Sequence, residues 1–124
     1  MKNVFLIAGA LSGAIAVMLG AFAAHGLRSS LSVENFQVFH TGVEYQFYHS
    51  LALLFTGIIM EKVQNKLILL AGYAFITGII LFSGSLYLLS TVNSLHWMGL
   101  ATPLGGLCFI CGWIFLAISL FKSP

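Results

Sequence analysis

Charge is what this chain has least of. Only 6% of its 124 residues are Asp, Glu, Lys or Arg, three of them acidic and five basic. A soluble domain has about 25% charged residues, so water cannot solvate most of this surface, and a soluble globular class is excluded. The formal charge of +2 is too small and too scattered for a nucleic-acid partner. Cysteine is equally scarce, with Cys108 and Cys111 alone, midway along an apolar segment. A Cys-x-x-Cys pair can serve a thioredoxin-like site or bind metal. Here no second Cys or His pair has matching spacing, and the bilayer centre suits a thiolate poorly. The two read as small packing residues, and the sequence predicts neither a metal nor a cofactor.

What is present is apolar: 60% of residues are hydrophobic and the mean hydropathy is +1.03. With about 20 residues needed per spanning helix, the length allows four helices, short loops and no soluble domain. The expected fold is all-α, a polytopic four-helix transmembrane bundle forming one domain over residues 1–124. Its helices are expected at about 3–24, 33–61, 67–89 and 96–121.

The first run could pass for a signal peptide, since Lys2 precedes it and Ala21, Ala23 and Ala24 close it. Its length of about 22 residues exceeds a signal h-region of about 7–15, so it reads as a retained helix. Gly9, Gly13, Ala16 and Gly20 fall on one stripe, which lets another helix approach closely in lipid. His25 to Leu31 reads as the turn out of this helix. Ser32 is the expected N-cap of the second, with Glu34 in its first turn. Only about the last 20 residues of that helix are needed to span, which leaves Val33–His40 as an interfacial extension carrying Phe36 and Phe39. A polar turn, Glu61 to Lys66, makes helices 2 and 3 an antiparallel hairpin. Helix 3 carries Gly72, Gly78 and Ser83-Gly84-Ser85. Thr91–Ser94 is a polar loop, and His96 and Trp97 mark an interfacial belt. Helix 4 holds Pro103, Gly105, Gly106 and Gly112. It either starts at Thr102 and Pro103 or runs from near Leu95 with a bend at Pro103; the continuous, bent helix is the expectation.

Lys2, Lys62, Lys66 and Lys122 gather at the two termini and the 2–3 turn, while Arg28 stands on the other side. The positive-inside rule then puts both termini in the cytoplasm. This topology gathers all four histidines into one half of the protein. Glu44 and His49 lie inside helix 2, where burying a carboxylate or an imidazole in hydrocarbon costs several kcal/mol unless it is paired. His40 and Glu44, and Tyr45 and His49, are i,i+4 pairs. His40 and His49 are nine residues apart, about 900° of rotation, and point to opposite faces, so they cannot share a metal. A bis-histidine haem is also excluded, because His49 lies about 12 Å deeper than His25. Gly42, Tyr45, Gln46, His49, Leu53 and Thr56 form a mixed polar face to turn inward. Glu44 is expected to pair with His25, Arg28 or His40, or else to act in a proton or cation relay. His49 is expected to bond across the bundle to Ser83 or Ser85. The candidate polar cluster is therefore His25, Glu44, Tyr45, Gln46, His49, Ser83 and Ser85, with Gly9, Gly13, Gly20, Gly105, Gly106 and Gly112 as packing positions.

Several stretches also carry a resemblance: Gly20-Ala21-Phe22-Ala23-Ala24-His25-Gly26-Leu27, Thr41-Gly42-Val43-Glu44-Tyr45-Gln46 with His49-Ser50-Leu51-Ala52-Leu53-Leu54, Leu81-Phe82-Ser83-Gly84-Ser85-Leu86-Tyr87, and Thr102-Pro103-Leu104-Gly105-Gly106 with Gly112-Trp113. In order, and over nearly the whole chain, they resemble an uncharacterised family of small bacterial inner-membrane proteins that includes eukaryotic transmembrane protein 256. The resemblance implies a four-helix membrane protein and no established activity. The family's Ala-His-Gly motif maps onto Ala24, His25 and Gly26, and its second-helix histidine onto His49. Many relatives have Gly where this chain has Ala23.

The leading expectation is a packing or accessory protein that lives in the lipid bilayer and assembles with itself or with a larger membrane complex. The small-residue surfaces favour it, and no enzymatic activity is read from the residues. One alternative is a small-solute, ion or proton transporter or channel using Glu44 and His49. The other is a membrane enzyme or a lipid- or quinone-binding protein with His25, His49 and Tyr45 near the headgroups.

Overall fold

Apolar runs broken by short polar turns fold here into helices. The computed structural model describes residues 2–92 and 96–123, and every regular element among the described residues is helical. Helix α1 spans Lys2–Phe22 and continues as a wider π turn over Ala23–Leu27; α2 spans Val33–Ile59. Helix α3 (Lys66–Gly78), a second π turn (Ile79–Ser83) and α4 (Gly84–Thr91) form one continuous rod. A 3₁₀ turn, His96–Leu100, leads into α5, Ala101–Phe121.

The helix starts follow from capping chemistry. The Ser32 Oγ accepts from the Asn35 N–H at 3.1 Å, and the Asn65 Oδ1 accepts from the Ile68 N–H at 3.0 Å. Each satisfies an amide that the first helical turn leaves without a backbone acceptor. Three local expectations are revised. His25 lies on a helical turn, because the chain stays wound through Leu27 before it breaks. Helix 3 is not regular but contains the π turn that ends at Ser83. Helix 4 begins as a 3₁₀ turn rather than as α-helix and runs without a break into α5, of which Pro103 is the third residue, where its missing N–H is one of the orphan donors. The loop expected at Thr91–Ser94 runs into residues 93–95, which lie outside the described residues, as does the side chain of His96.

Three stretches are long and apolar enough to cross a membrane: Lys2–Leu27, Lys66–Thr91 and Trp97–Phe121, with hydropathies of 2.2, 2.1 and 2.3. Their outward faces carry Ile7, Leu11, Met18, Ile80, Leu107 and Ile110, each more than half exposed. A soluble protein rarely exposes so continuous an apolar surface, so the exterior of this one is solvated by lipid. Helix α2 is as long as any, but Glu44, Gln46 and His49 make it the least apolar.

The four rods pack in antiparallel succession. Helix α1 lies along α2, with Lys2 bonded to Glu61 at 3.0 Å at one end and Gly20 against Val43 further along. Helix α5 lies along the α3–α4 rod, from Asn65, whose Nδ2 donates to the Ser119 carbonyl, to Ser85, which bonds Thr102. The N-terminus, the α2–α3 turn and the C-terminal end of α5 therefore share one end of the molecule. Nearest that end the core is apolar: Phe5, Leu53, Ile68, Ala71, Phe75 and Leu116 are buried together. Phe5 inserts edge-on against Tyr73 and fills the space beside Gly72. Further from it the core turns polar, and α2 supplies most of the polar groups.

Candidate functional site

A polar residue buried among apolar helices is tolerated where another segment completes its hydrogen bonds, and α2 meets that condition toward several elements at once. Gln46, 5% exposed, donates from Nε2 to the Ser12 carbonyl of α1 at 2.9 Å. Its Oε1 accepts from the Tyr87 hydroxyl of α4 at 2.6 Å. One turn on, the Ser50 hydroxyl contacts the Ser12 Oγ at 2.8 Å and its own-helix Gln46 carbonyl at 2.6 Å. The buried Ser83 hydroxyl, on the π turn, donates to the Gly42 carbonyl at 2.7 Å. Gly42 permits this approach, since a Cβ there would stand 2.8 Å from the Tyr87 ring.

His49 occupies an aromatic cage. Its ring stacks on Phe109 with centroids 3.5 Å apart and planes 8° from parallel, and Tyr45, Phe75 and Trp113 surround the rest. Nδ1 lies 2.7 Å from the Tyr45 carbonyl, which can only accept, and Nε2 lies 3.1 Å from the Trp113 indole N–H, which can only donate. These partners select the neutral imidazole with its proton on Nδ1. Both nitrogens are then occupied, and a metal or a relayed proton would have to displace Trp113. The sequence-based expectation that His49 bonds Ser83 or Ser85 is overturned. Ser83 serves Gly42, while Ser85 serves the Phe82 carbonyl at 2.9 Å and the Thr102 hydroxyl at 2.6 Å. A histidine reaches whatever stands level with it across the bundle, and that is α5.

Glu44 is not part of this interior network. It lies on the flank of α2, 39% exposed, with Oε1 2.9 Å from the His40 Nε2 and Oε2 accepting from the Tyr48 hydroxyl at 2.9 Å. Of the three partners considered for it, His40 is the one it meets. Both contacts stay within α2, so Glu44 does not tie α1 to α2. His25 is exposed on the π turn after α1, away from His49. The cluster expected from sequence is thus divided: Gln46, His49, Ser83 and Ser85 are buried, Tyr45 is at the cage edge, Glu44 is on the rim, and His25 is apart.

The small residues differ in the same way. A Cβ on Gly9 would come 2.8 Å from the Ser50 carbonyl, and one on Gly105 would come 2.7 Å from the Phe82 Cα. Backbone cannot move aside as a side-chain tip can, so these are the closest helix contacts. A Cβ on Gly112 would stand 2.7 Å from the Phe75 ring and one on Gly20 3.3 Å from Val43, whereas Cβ atoms on Gly13 and Gly106 would find ordinary contacts of 3.8 and 3.9 Å. Sequence reasoning missed Ser12, Tyr87, Thr102 and Trp113 as partners. Ser12 falls three residues after Gly9 and four before Ala16, on the packing side of α1. Tyr87 and Trp113 carry a polar atom on a large ring, which seeks a partner when buried in an apolar segment.

Apolar helices with a lipid-facing exterior and a hydrogen-bonded interior define a helical integral membrane protein. The comparisons identify which one. Residues 19–106 match a family described as "Protein of unknown function (DUF423)". The chain is 43% identical over 121 residues to the "UPF0382 membrane protein YwdK" of Bacillus subtilis, covering 97% of this chain and 98% of that one. It is 44% identical over 120 residues to a UPF0382 membrane protein of Staphylococcus aureus, with 97% of each chain covered. Against one from Haemophilus influenzae it is 44% identical over 125 residues, covering 99% and 98%. The chain belongs to this family of membrane proteins of unknown function. No solved structure matches it.

Proposed function

We propose that this protein is a structural or accessory component of the bacterial inner membrane: a four-crossing bundle that assembles with itself or with a larger membrane complex. The observation that carries the proposal is that, among the described residues, no buried side-chain polar atom lacks a hydrogen-bond partner. A relay or a substrate site keeps groups free for its cargo, whereas here Gln46, Ser50, Ser83 and the caged His49 are all used between helices. Helix α2 counts as the fourth crossing. Its 27 residues extend about 40 Å at 1.5 Å per residue, more than the roughly 30 Å hydrocarbon core, and its buried polar side chains Gln46, His49 and Ser50 bond or pack against α1, α4 and α5. Cytoplasmic termini are supported by the shared end of Lys2, Lys62, Lys66 and Lys122, with Arg28 opposite.

The test is reconstitution of wild type, Glu44→Gln and Glu44→Leu into vesicles. Because Glu44 is partly exposed and bonded within its own helix, both variants should fold and lose at most about 1 kcal/mol of stability. Proton or cation flux should equal that of empty vesicles in all three. A wild-type flux that a stably folded Glu44→Gln variant abolishes would replace this reading with a transport function. Cysteine probes add a topology check: one at Ser29 should label from outside intact cells and one at Asn65 should not.

A further inference from the structure

The seam between α1 and α2 is open toward lipid for part of its length. Beyond the close approach at Gly9 the seam leaves a cleft of about 470 Å³ whose walls include Ala16, Val17, Ala21, Val43 and Phe47, with Glu44 and Tyr48 at its margin. At Gly20 this cleft adjoins a second recess of about 540 Å³, whose lining includes Arg28, Gln37 and His40. Each volume falls within the range of about 300–1,000 Å³ typical of small-molecule sites. The two recesses differ in chemistry: the deeper is almost wholly hydrocarbon, and the outer presents a guanidinium, an amide and an imidazole. The outer polar groups are held in place. The Arg28 Cζ lies 5.8 Å from the Phe36 ring centroid, and the His40 ring stacks parallel to the same phenyl at 6.4 Å. Among the described residues Arg28 makes no ion pair. Glu44, which lines the apolar cleft, is already engaged by His40 and Tyr48.

We infer that this composite groove binds one anionic glycerophospholipid, its phosphate on Arg28 and Gln37 and an acyl chain along the Ala16–Ala21 wall toward Phe47. Charge complementarity selects the occupant. A planar guanidinium with free donors beside an amide matches phosphate oxygens, and it stands at the end of an apolar helix, where headgroups lie. A second copy of the chain could bring only its exposed Glu34 to Arg28, with no flexible hydrocarbon chain to fill the adjoining cleft, and a quinone has no anionic head to use it. The site is separate from the interior hydrogen-bond network, so it stands whether or not the accessory role does.

The experiment is native mass spectrometry of the full-length protein released from detergent after incubation with phosphatidylglycerol or phosphatidylcholine. Wild type should retain one phosphatidylglycerol in preference to phosphatidylcholine. Arg28→Gln, at an exposed position, should lower retention roughly fivefold, the scale of one basic contact to an anionic lipid. Ala21→Trp should obstruct the apolar cleft and lower retention as much; Val17→Trp on the exposed wall is the second obstruction if the first does not fold. Lys66→Gln, at the opposite end of the molecule, should leave retention unchanged. Equal retention of the two lipids overturns the inference. So does a loss with Lys66→Gln equal to that with Arg28→Gln, or retention indifferent to a folded cleft-filling variant, because either would mean diffuse attraction rather than a site.

Discussion

Removing the side chain that joins three helices gives the sharpest test of the interior. Gln46→Leu keeps nearly the same volume and deletes two interhelical bonds, to the Ser12 carbonyl at 2.9 Å and from the Tyr87 hydroxyl at 2.6 Å. Interhelical hydrogen bonds in membrane proteins average about 0.6 kcal/mol, with a maximum near 1.7. The pair here should therefore contribute about 1–3 kcal/mol, with the shorter Tyr87 bond at the upper end of its range. Tyr87→Phe removes only that bond and should cost about 0.6–1.7 kcal/mol. The double variant matters most. Once both polar partners are gone no buried group is stranded, so its loss should fall short of the sum of the single losses by about 0.6–1.5 kcal/mol. The assay is reversible unfolding in mixed micelles by a denaturing detergent, followed by far-ultraviolet circular dichroism. A Gln46→Leu variant as stable as wild type would refute the reasoning. Additivity within about 0.3 kcal/mol, the limit for independent sites, would refute it equally.

Two further predictions concern close packing and the cage. Gly9→Ala should lower stability by about 1–3 kcal/mol, since its methyl meets the Ser50 carbonyl and the two backbones must part. Gly13→Ala, with 3.8 Å available, should leave the midpoint of thermal unfolding unchanged or raise it; equal losses at the two positions would mean the α1–α2 contact is not steric. Trp113→Phe keeps a ring against Phe75 but strips the Nε2 of His49 of its donor, which should cost about 1 kcal/mol. His49→Ala should in turn shift Trp113 fluorescence by releasing the indole N–H; an unchanged spectrum would sink the assigned bond.

Much of the architecture followed from the chain alone. The scarcity of charge, the length of the apolar runs and the polar turns expected at His25–Leu31 and Glu61–Lys66 determined a helical membrane protein, because lipid obliges the backbone to satisfy itself. The cap Ser32 and the inward face of α2 at Gly42, Gln46, His49, Leu53 and Thr56 come from local hydrogen bonding and the helical period, although Tyr45, expected on that face, stands at its exposed edge. Both are properties of a single helix. The partners of those groups are not. Whether His49 meets Ser83, Ser85 or Trp113 depends on how α5 and the α3–α4 rod are set in height and rotation against α2. The π turn at Ile79–Ser83 changes that phase in a way no apolar pattern records. The same relative setting decides that Glu44 lies on the rim beside His40 rather than between α1 and α2. Among six glycines alike in sequence, it makes Gly9 and Gly105 the points where backbones touch and leaves Gly13 and Gly106 with room, since distance to a neighbouring helix belongs to the packed pair and to neither strand of sequence by itself.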